Sequence, residues 1–132
     1  MVNAIARELV LQKDYLAGER IDTIYLGGGT PSLLTLDELQ TLLNVIRANH
    51  NMLSGAEITL EANPDDLTPE KLVHLKAAGV NRLSIGIQTF NTARLKALNR
   101  VHDEALAVKS FNDARSAGFD NISIDLMYAL PE

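Results

Sequence analysis

Two rhythms of apolar residues alternate along the chain. Val2, Ile5, Leu9 and Leu16 fall near helical spacing, which predicts a helix over residues 2–17 ended by Gly18. Residues 21–26 form a short, β-branched-rich run, read as a strand, that leads into Gly27-Gly28-Gly29-Thr30-Pro31-Ser32. Thr35 and Glu38 then have the spacing of a capping box, and Leu36, Leu39, Leu43 and Ile46 share one side of the helix that follows. A second strand is predicted over residues 57–61, closed by Ala62-Asn63-Pro64. Thr68-Pro69 opens a helix with proline at its first position, Leu72, Leu75, Ala77 and Ala78 face inward, and Gly79 ends it. The third strand spans residues 82–88. Short helices begin at Asn91 and Asp103, with Leu106, Phe111 and Ala114 packing on the second, which Gly118 stops. A fourth strand covers residues 122–126.

Strands that alternate with helices predict an α/β fold with a parallel sheet of βα units. Parallel strands covered on both faces read as nearly continuous apolar runs. These do not. One set of side chains is Ile24 and Leu26; Ile58 and Leu60; Leu83, Ile85 and Ile87; Ile122, Ile124 and Leu126. The other is Thr23, Tyr25 and Gly27; Glu57, Thr59 and Glu61; Ser84, Gly86 and Gln88; Ser123 and Asp125. Side chains alternate across a strand with period two, so the first set faces the helices and the second lines a polar face. That face is either solvated or the lumen of a barrel filled by something polar.

Composition narrows the partners. The chain of 132 residues carries a net charge of -5, with no cluster of Lys and Arg to meet a polyanion, so nucleic acid is not an expected partner. Cysteine is absent, which excludes a disulfide framework, a thiolate metal site and a cysteine nucleophile within these residues. No apolar run is long enough to span a membrane, and the opening residues do not read as a signal peptide, so a cytoplasmic setting is expected. His50, His74 and His102 lack metal-ligand spacing; only His102, beside Arg100, is placed near a ligand.

Ligand sites on such sheets lie at the carboxyl ends of the strands. Gly28, Gly29 and Thr30, Glu61 and Asn63, Gln88, and Asp125 all fall there. The glycine run has neither dinucleotide-fingerprint nor phosphate-loop spacing. It still lets backbone approach a ligand closely, and its N–H and C=O groups suit a zwitterion. Glu61 and Asp125 read as an acid/base pair, as acceptors of ribose hydroxyls, or as structural hydrogen-bonding groups. Arg100 is either a carboxylate clamp or a surface charge. No serine sits in a nucleophile elbow.

Several stretches together carry a resemblance. They are Tyr25-Leu26-Gly27-Gly28-Gly29-Thr30-Pro31-Ser32, Glu61-Ala62-Asn63-Pro64, Asn81 through Phe90, Arg100-Val101-His102, and Asp125 through Pro131. In order and spacing they resemble the radical S-adenosylmethionine (SAM) family of oxygen-independent coproporphyrinogen III oxidases, over nearly the whole chain. The resemblance implies a partial (β/α)6 barrel, with residues 1–132 an incomplete core domain whose first and last strands lie elsewhere. It implies SAM and a [4Fe-4S] cluster as cofactors. Three cysteines from outside these residues would hold the cluster, and SAM would be reductively cleaved to a 5′-deoxyadenosyl radical. By position, Gly28, Gly29 and Thr30 would meet the methionine end of SAM, with Glu61 at the same end. Arg100 would hold the SAM carboxylate, Asp125 the ribose hydroxyls, and Gln88 would add a polar contact. Ala129 stands where the family usually has glycine. Without the cysteines, this segment alone is expected to be inactive.

The family has two branches. One oxidatively decarboxylates coproporphyrinogen III, and the other resembles a haem chaperone. Glu-Ala-Asn-Pro, Ile-Gln-Thr-Phe-Asn and Arg-Val-His favour the chaperone branch, which makes haem or a porphyrinogen the expected further ligand. The oxidase is the alternative, and a small α/β ligand-binding module without radical chemistry is a third. A cut barrel also predicts exposed sheet edges, and hence self-association.

Overall fold

The computed structural model describes residues 1–130. Its elements are helix α1 (Val2–Leu11), strand β1 (Ile21–Leu26), helix α2 (Leu36–Asn49), strand β2 (Met52–Ala62), helix α3 (Pro69–Ala78), strand β3 (Arg82–Gln88), helices α4 (Thr92–Ala97) and α5 (Glu104–Ser116), and strand β4 (Asn121–Leu126). Single 3-10 turns, Pro31–Leu33 and Pro64–Asp66, follow β1 and β2.

All strand pairs are parallel, and the sheet order is β1-β2-β3-β4. Sequential order without reversal is the arrangement of barrel strands, whereas doubly wound sheets reverse at a switch point. The expected α/β class and alternating βα units are therefore what the chain forms.

Each helix start follows from its cap. Thr35 and Glu38 complete the capping box on α2, with the Glu38 N–H donating to Thr35 Oγ1 at 3.2 Å and the Thr35 N–H donating to Glu38 Oε2 at 2.9 Å. Thr68, Asn91 and Asp103 each accept from a backbone N–H three residues on, at 3.2, 3.1 and 2.8 Å. These bonds satisfy donors that the first helical turn leaves free.

The core lies on one face of the sheet. Ile58, Leu60, Leu83, Ile85 and Ile87 pack with Leu39 and Leu43 of α2, Leu72 and Leu75 of α3, Ala107 and Ala114 of α5, and Phe119. This is the apolar strand set expected from the alternation. The polar set occupies the opposite face.

Five expectations are corrected. Helix α1 ends at Leu11, and residues 12–18 are turns. It packs on α2 and buries Val2, but Leu11 and Leu16 are exposed, so packing does not extend the helix. Strand β2 is longer than residues 57–61, because its first half adds a register shift against β1. Ala77 is exposed, while Ala78 is buried. On α5 the buried positions are Ala107, Ser110 and Ala114, and Phe111 is exposed, as are Ile124 and Leu126 of β4. Nothing among the described residues covers that last strand's outer side.

Candidate functional site

A cavity of about 160 Å³ opens at the carboxyl ends of the strands. Gly29, Thr30 and Pro31 wall one side, and Glu61, Ala62 and Asn63 follow from β2. Ser84, Gly86 and Gln88 come from β3, Arg100 from the segment after α4, and Asp125 from β4. Small-molecule pockets usually run about 300–1,000 Å³. This one therefore suits part of a ligand.

The glycine run sits as it does because Gly28 and Gly29 have φ of 78° and 69°, a region costly to residues with a Cβ. Glu61 braces that run. Its Oε1 accepts from the Tyr25 hydroxyl at 2.7 Å, and its Oε2 accepts from the Gly28 N–H at 3.1 Å. The hydrogen bond to Glu61, then desolvation and the Glu61 charge, raise the Tyr25 phenol above its ordinary value. Gly28 therefore faces Glu61 with its N–H and lines a neighbouring apolar hollow with Val2, Ile5 and Leu34, while Gly29 and Thr30 reach both hollows.

Strand β3 ends in an irregularity. Between Ile85 and Gln88 its register against β4 shifts, and Gln88 adopts φ of 68°. The Gln88 amide then lies over Gly86, where a Cβ would meet its Nε2 at 3.0 Å and Asn63 Oδ1 at 3.7 Å. Glycine at position 86 keeps this part of the cavity open.

Arg100 Nη1 donates to Asn63 Oδ1 at 2.7 Å, so the arginine is aimed into the cavity. Asp125 is exposed, and its Oδ1 accepts from the Ser84 hydroxyl at 3.0 Å. Glu61 and Asp125 thus line one cavity, each held by different donors.

His102 is not at the cavity. It is buried at 3% exposure, with Nε2 at 3.1 Å from the Ile87 carbonyl and Nδ1 3.7 Å from Asp65. Its proximity in sequence to Arg100 misled, because the chain turns inward between them and packs the ring against the end of β3. His50 is half-buried at the end of α2, and His74 is exposed. Ser84 and Tyr25 were legible only as members of the polar strand set, with no spacing to mark them individually.

Ala129 has φ of 55°, a left-handed conformation. That explains physically why glycine would suit this position.

The arrangement is a polar cavity at the carboxyl ends of a sequential parallel sheet, where barrel enzymes place their sites. The donor set suits a zwitterionic nucleoside such as SAM: a guanidinium for a carboxylate, backbone of the glycine run at the cavity wall, and carboxylates for an amine or a ribose diol. It does not suit an iron–sulfur cluster. The chain has no cysteine, and no group of three His, Asp or Glu among the described residues forms a metal site.

The radical SAM superfamily profile matches residues 3–132. The haem chaperone HemW of Bacillus subtilis (strain 168) is 44% identical over 131 residues, covering 98% of this chain and 35% of that protein. The oxygen-independent coproporphyrinogen III oxidase of Escherichia coli (strain K12) is 36% identical over 131 residues, covering 99% of this chain and 29% of that one. The solved coproporphyrinogen III oxidase (HemN) from Escherichia coli superposes with a TM-score of 0.88 at 36% identity, over 98% of this chain and 30% of that one. The chain belongs to the radical SAM superfamily. It spans about a third of the length of the curated relatives it matches. The family implies SAM and a [4Fe-4S] cluster. No helix among the described residues is long and apolar enough to cross a membrane.

Proposed function

We propose that this chain is the SAM-holding part of a longer radical SAM barrel, whose first and last strands and cluster cysteines are supplied by other residues. The protein belongs, in this reading, to the haem-chaperone branch and works in the cytoplasm, with haem as its further ligand. The observation that carries it is the convergence of Arg100, Glu61, Gln88 and Asp125 on one cavity beside the glycine run.

The roles follow from the chemistry of each group. Arg100, aimed by Asn63, holds the SAM carboxylate. Gly29 and Thr30 offer backbone groups to the methionine end. Gly28 keeps the glycine run against Glu61, which retains lone pairs for the amino group. Asp125 takes ribose hydroxyls on Oδ2, since Ser84 occupies Oδ1. Gln88, over Gly86, adds a polar contact. SAM bound beside a [4Fe-4S] cluster supplies one-electron chemistry. These residues orient the cofactor and do not themselves exchange electrons.

The choice of branch rests on identity: 44% and 42% to two haem chaperones, against 36% to the oxidase from Escherichia coli. The test uses the full-length protein under anaerobic conditions, assayed for SAM binding, haem binding and coproporphyrinogen III decarboxylation. SAM and haem binding without decarboxylation supports the chaperone reading. Decarboxylation without haem binding assigns the protein to the oxidase branch. Absence of SAM binding leaves the cluster-free binding module.

A further inference from the structure

Below the cavity, the polar face of the sheet carries a chain of hydrogen bonds that the ligand contacts do not account for. Arg82, at the start of β3, donates from Nη2 to Ser123 Oγ at 3.2 Å. Ser123 Oγ lies 3.0 Å from Ser84 Oγ, and Ser84 Oγ lies 3.0 Å from Asp125 Oδ1. Strand register produces this alignment: Arg82 pairs with Asn121 and Ser84 with Ser123 across β3 and β4, and Asp125 follows two residues further up. At ~3.3 Å per residue the backbone level of Asp125 lies about 13 Å above that of Arg82, and the long Arg82 side chain covers part of that rise.

Its direction is fixed by its ends. A guanidinium only donates and a carboxylate only accepts. Ser123 therefore accepts from Arg82 and passes its own proton's hydrogen bond to Ser84, which passes its own to Asp125. The competing acceptor for Ser123, the Leu83 carbonyl, is at 3.5 Å, the weaker geometry. Other groups hold Arg82 in place. Its Nη1 donates to Thr59 Oγ1 at 3.2 Å and lies 3.9 Å from Glu57, which also accepts from Asn121 at 3.1 Å. Ser84 is 5% exposed and Thr59 is 1% exposed, so water does not readily replace these partners.

We propose that Arg82 is a positioning residue for the ligand site, acting through Ser123 and Ser84 to fix Asp125 with Oδ1 engaged and Oδ2 turned to the ribose diol. This rests on the SAM-binding reading of Asp125. Hydrogen bonds directed from a cation polarise one another, so Ser84 binds the carboxylate more firmly than an isolated serine would.

The test measures S-adenosylhomocysteine binding to the full-length protein by calorimetry, in parallel with an analogue lacking both ribose hydroxyls. Ser84→Ala and Arg82→Gln each weaken S-adenosylhomocysteine by about three- to tenfold, on the order of one ordinary net hydrogen bond. Both lose that effect with the dideoxy analogue and in an Asp125→Asn background. Ser123→Ala, a smaller change, serves where Arg82→Gln lowers thermal stability. Equal weakening of both ligands means that Arg82 and the serines act only on folding, and overturns the proposal. So does unchanged binding by Ser84→Ala and Arg82→Gln when Asp125→Asn does weaken it. If Asp125→Asn leaves binding unchanged, the assignment of Asp125 to the ribose fails, and the positioning role falls with it.

Discussion

The Tyr25 hydroxyl donates to Glu61 Oε1 at 2.7 Å, joining strands β1 and β2 across their polar face. Glu61 Oε2 takes the Gly28 N–H, so one carboxylate ties the strand pair to the glycine run. Tyr25→Phe removes half of that tie. Amide hydrogen exchange over residues 27–30 should quicken severalfold, while exchange in β3 should not change.

The same pair sets a pH dependence. The phenol is raised above its ordinary value of 10.0, chiefly by its hydrogen bond to Glu61. A raised folded-state value means that the stabilisation is whole below about pH 10, and is lost as pH climbs through the folded value. A tyrosinate absorbance titration should therefore show a late component that Tyr25→Phe removes.

Glu38 behaves in the opposite sense. Hydrogen bonds from Thr35, its backbone N–H first, lower the carboxyl below 4.5. Its contribution to the start of α2 is present above 4.5 and is lost as pH falls through the lowered value. Glu38→Gln should therefore lower stability near neutrality, leave it little changed in acid and so flatten the acid limb of a stability–pH curve, as read by denaturant unfolding.

Arg100→Lys and Arg100→Ala separate charge from shape. The guanidinium both donates to Asn63 at 2.7 Å and faces the cavity, and an ammonium cannot present that planar fork. In the full-length protein, calorimetry should find S-adenosylhomocysteine weakened about tenfold or more by the alanine, with partial recovery by the lysine. Equal binding by all three proteins would make Arg100 a structural partner of Asn63 alone.

Packing on the apolar face is unequal between its centre and its β4 edge. Leu83 is fully buried, and Leu83→Ala should cost ~2–5 kcal/mol in denaturant unfolding. Leu126, at 54% exposure, should lose at most ~0.5 kcal/mol on the same change. Ile87, Phe90, Val108, Phe111 and Ile124 line an apolar hollow near that edge. The chain produced alone should therefore self-associate with concentration in sedimentation, and Phe111→Lys should reduce it.

Local features were readable from residues alone. The caps at Thr35, Thr68, Asn91 and Asp103 lie within three residues of their partners, and strand faces alternate with period two, so both follow from neighbours in sequence. The apolar set of β2 and β3 and the polar set opposite were determined in this way, as was the parallel βα architecture. Tertiary structure decided where side chains separated by tens of residues meet. Arg100 reaches Asn63 and Ser84 reaches Asp125 only because parallel pairing fixes the register of β2, β3 and β4. The same packing took His102 from the expected ligand side into the core, and left Phe111 outside it. Helical spacing marks a face, but only a neighbouring element determines whether that face is buried.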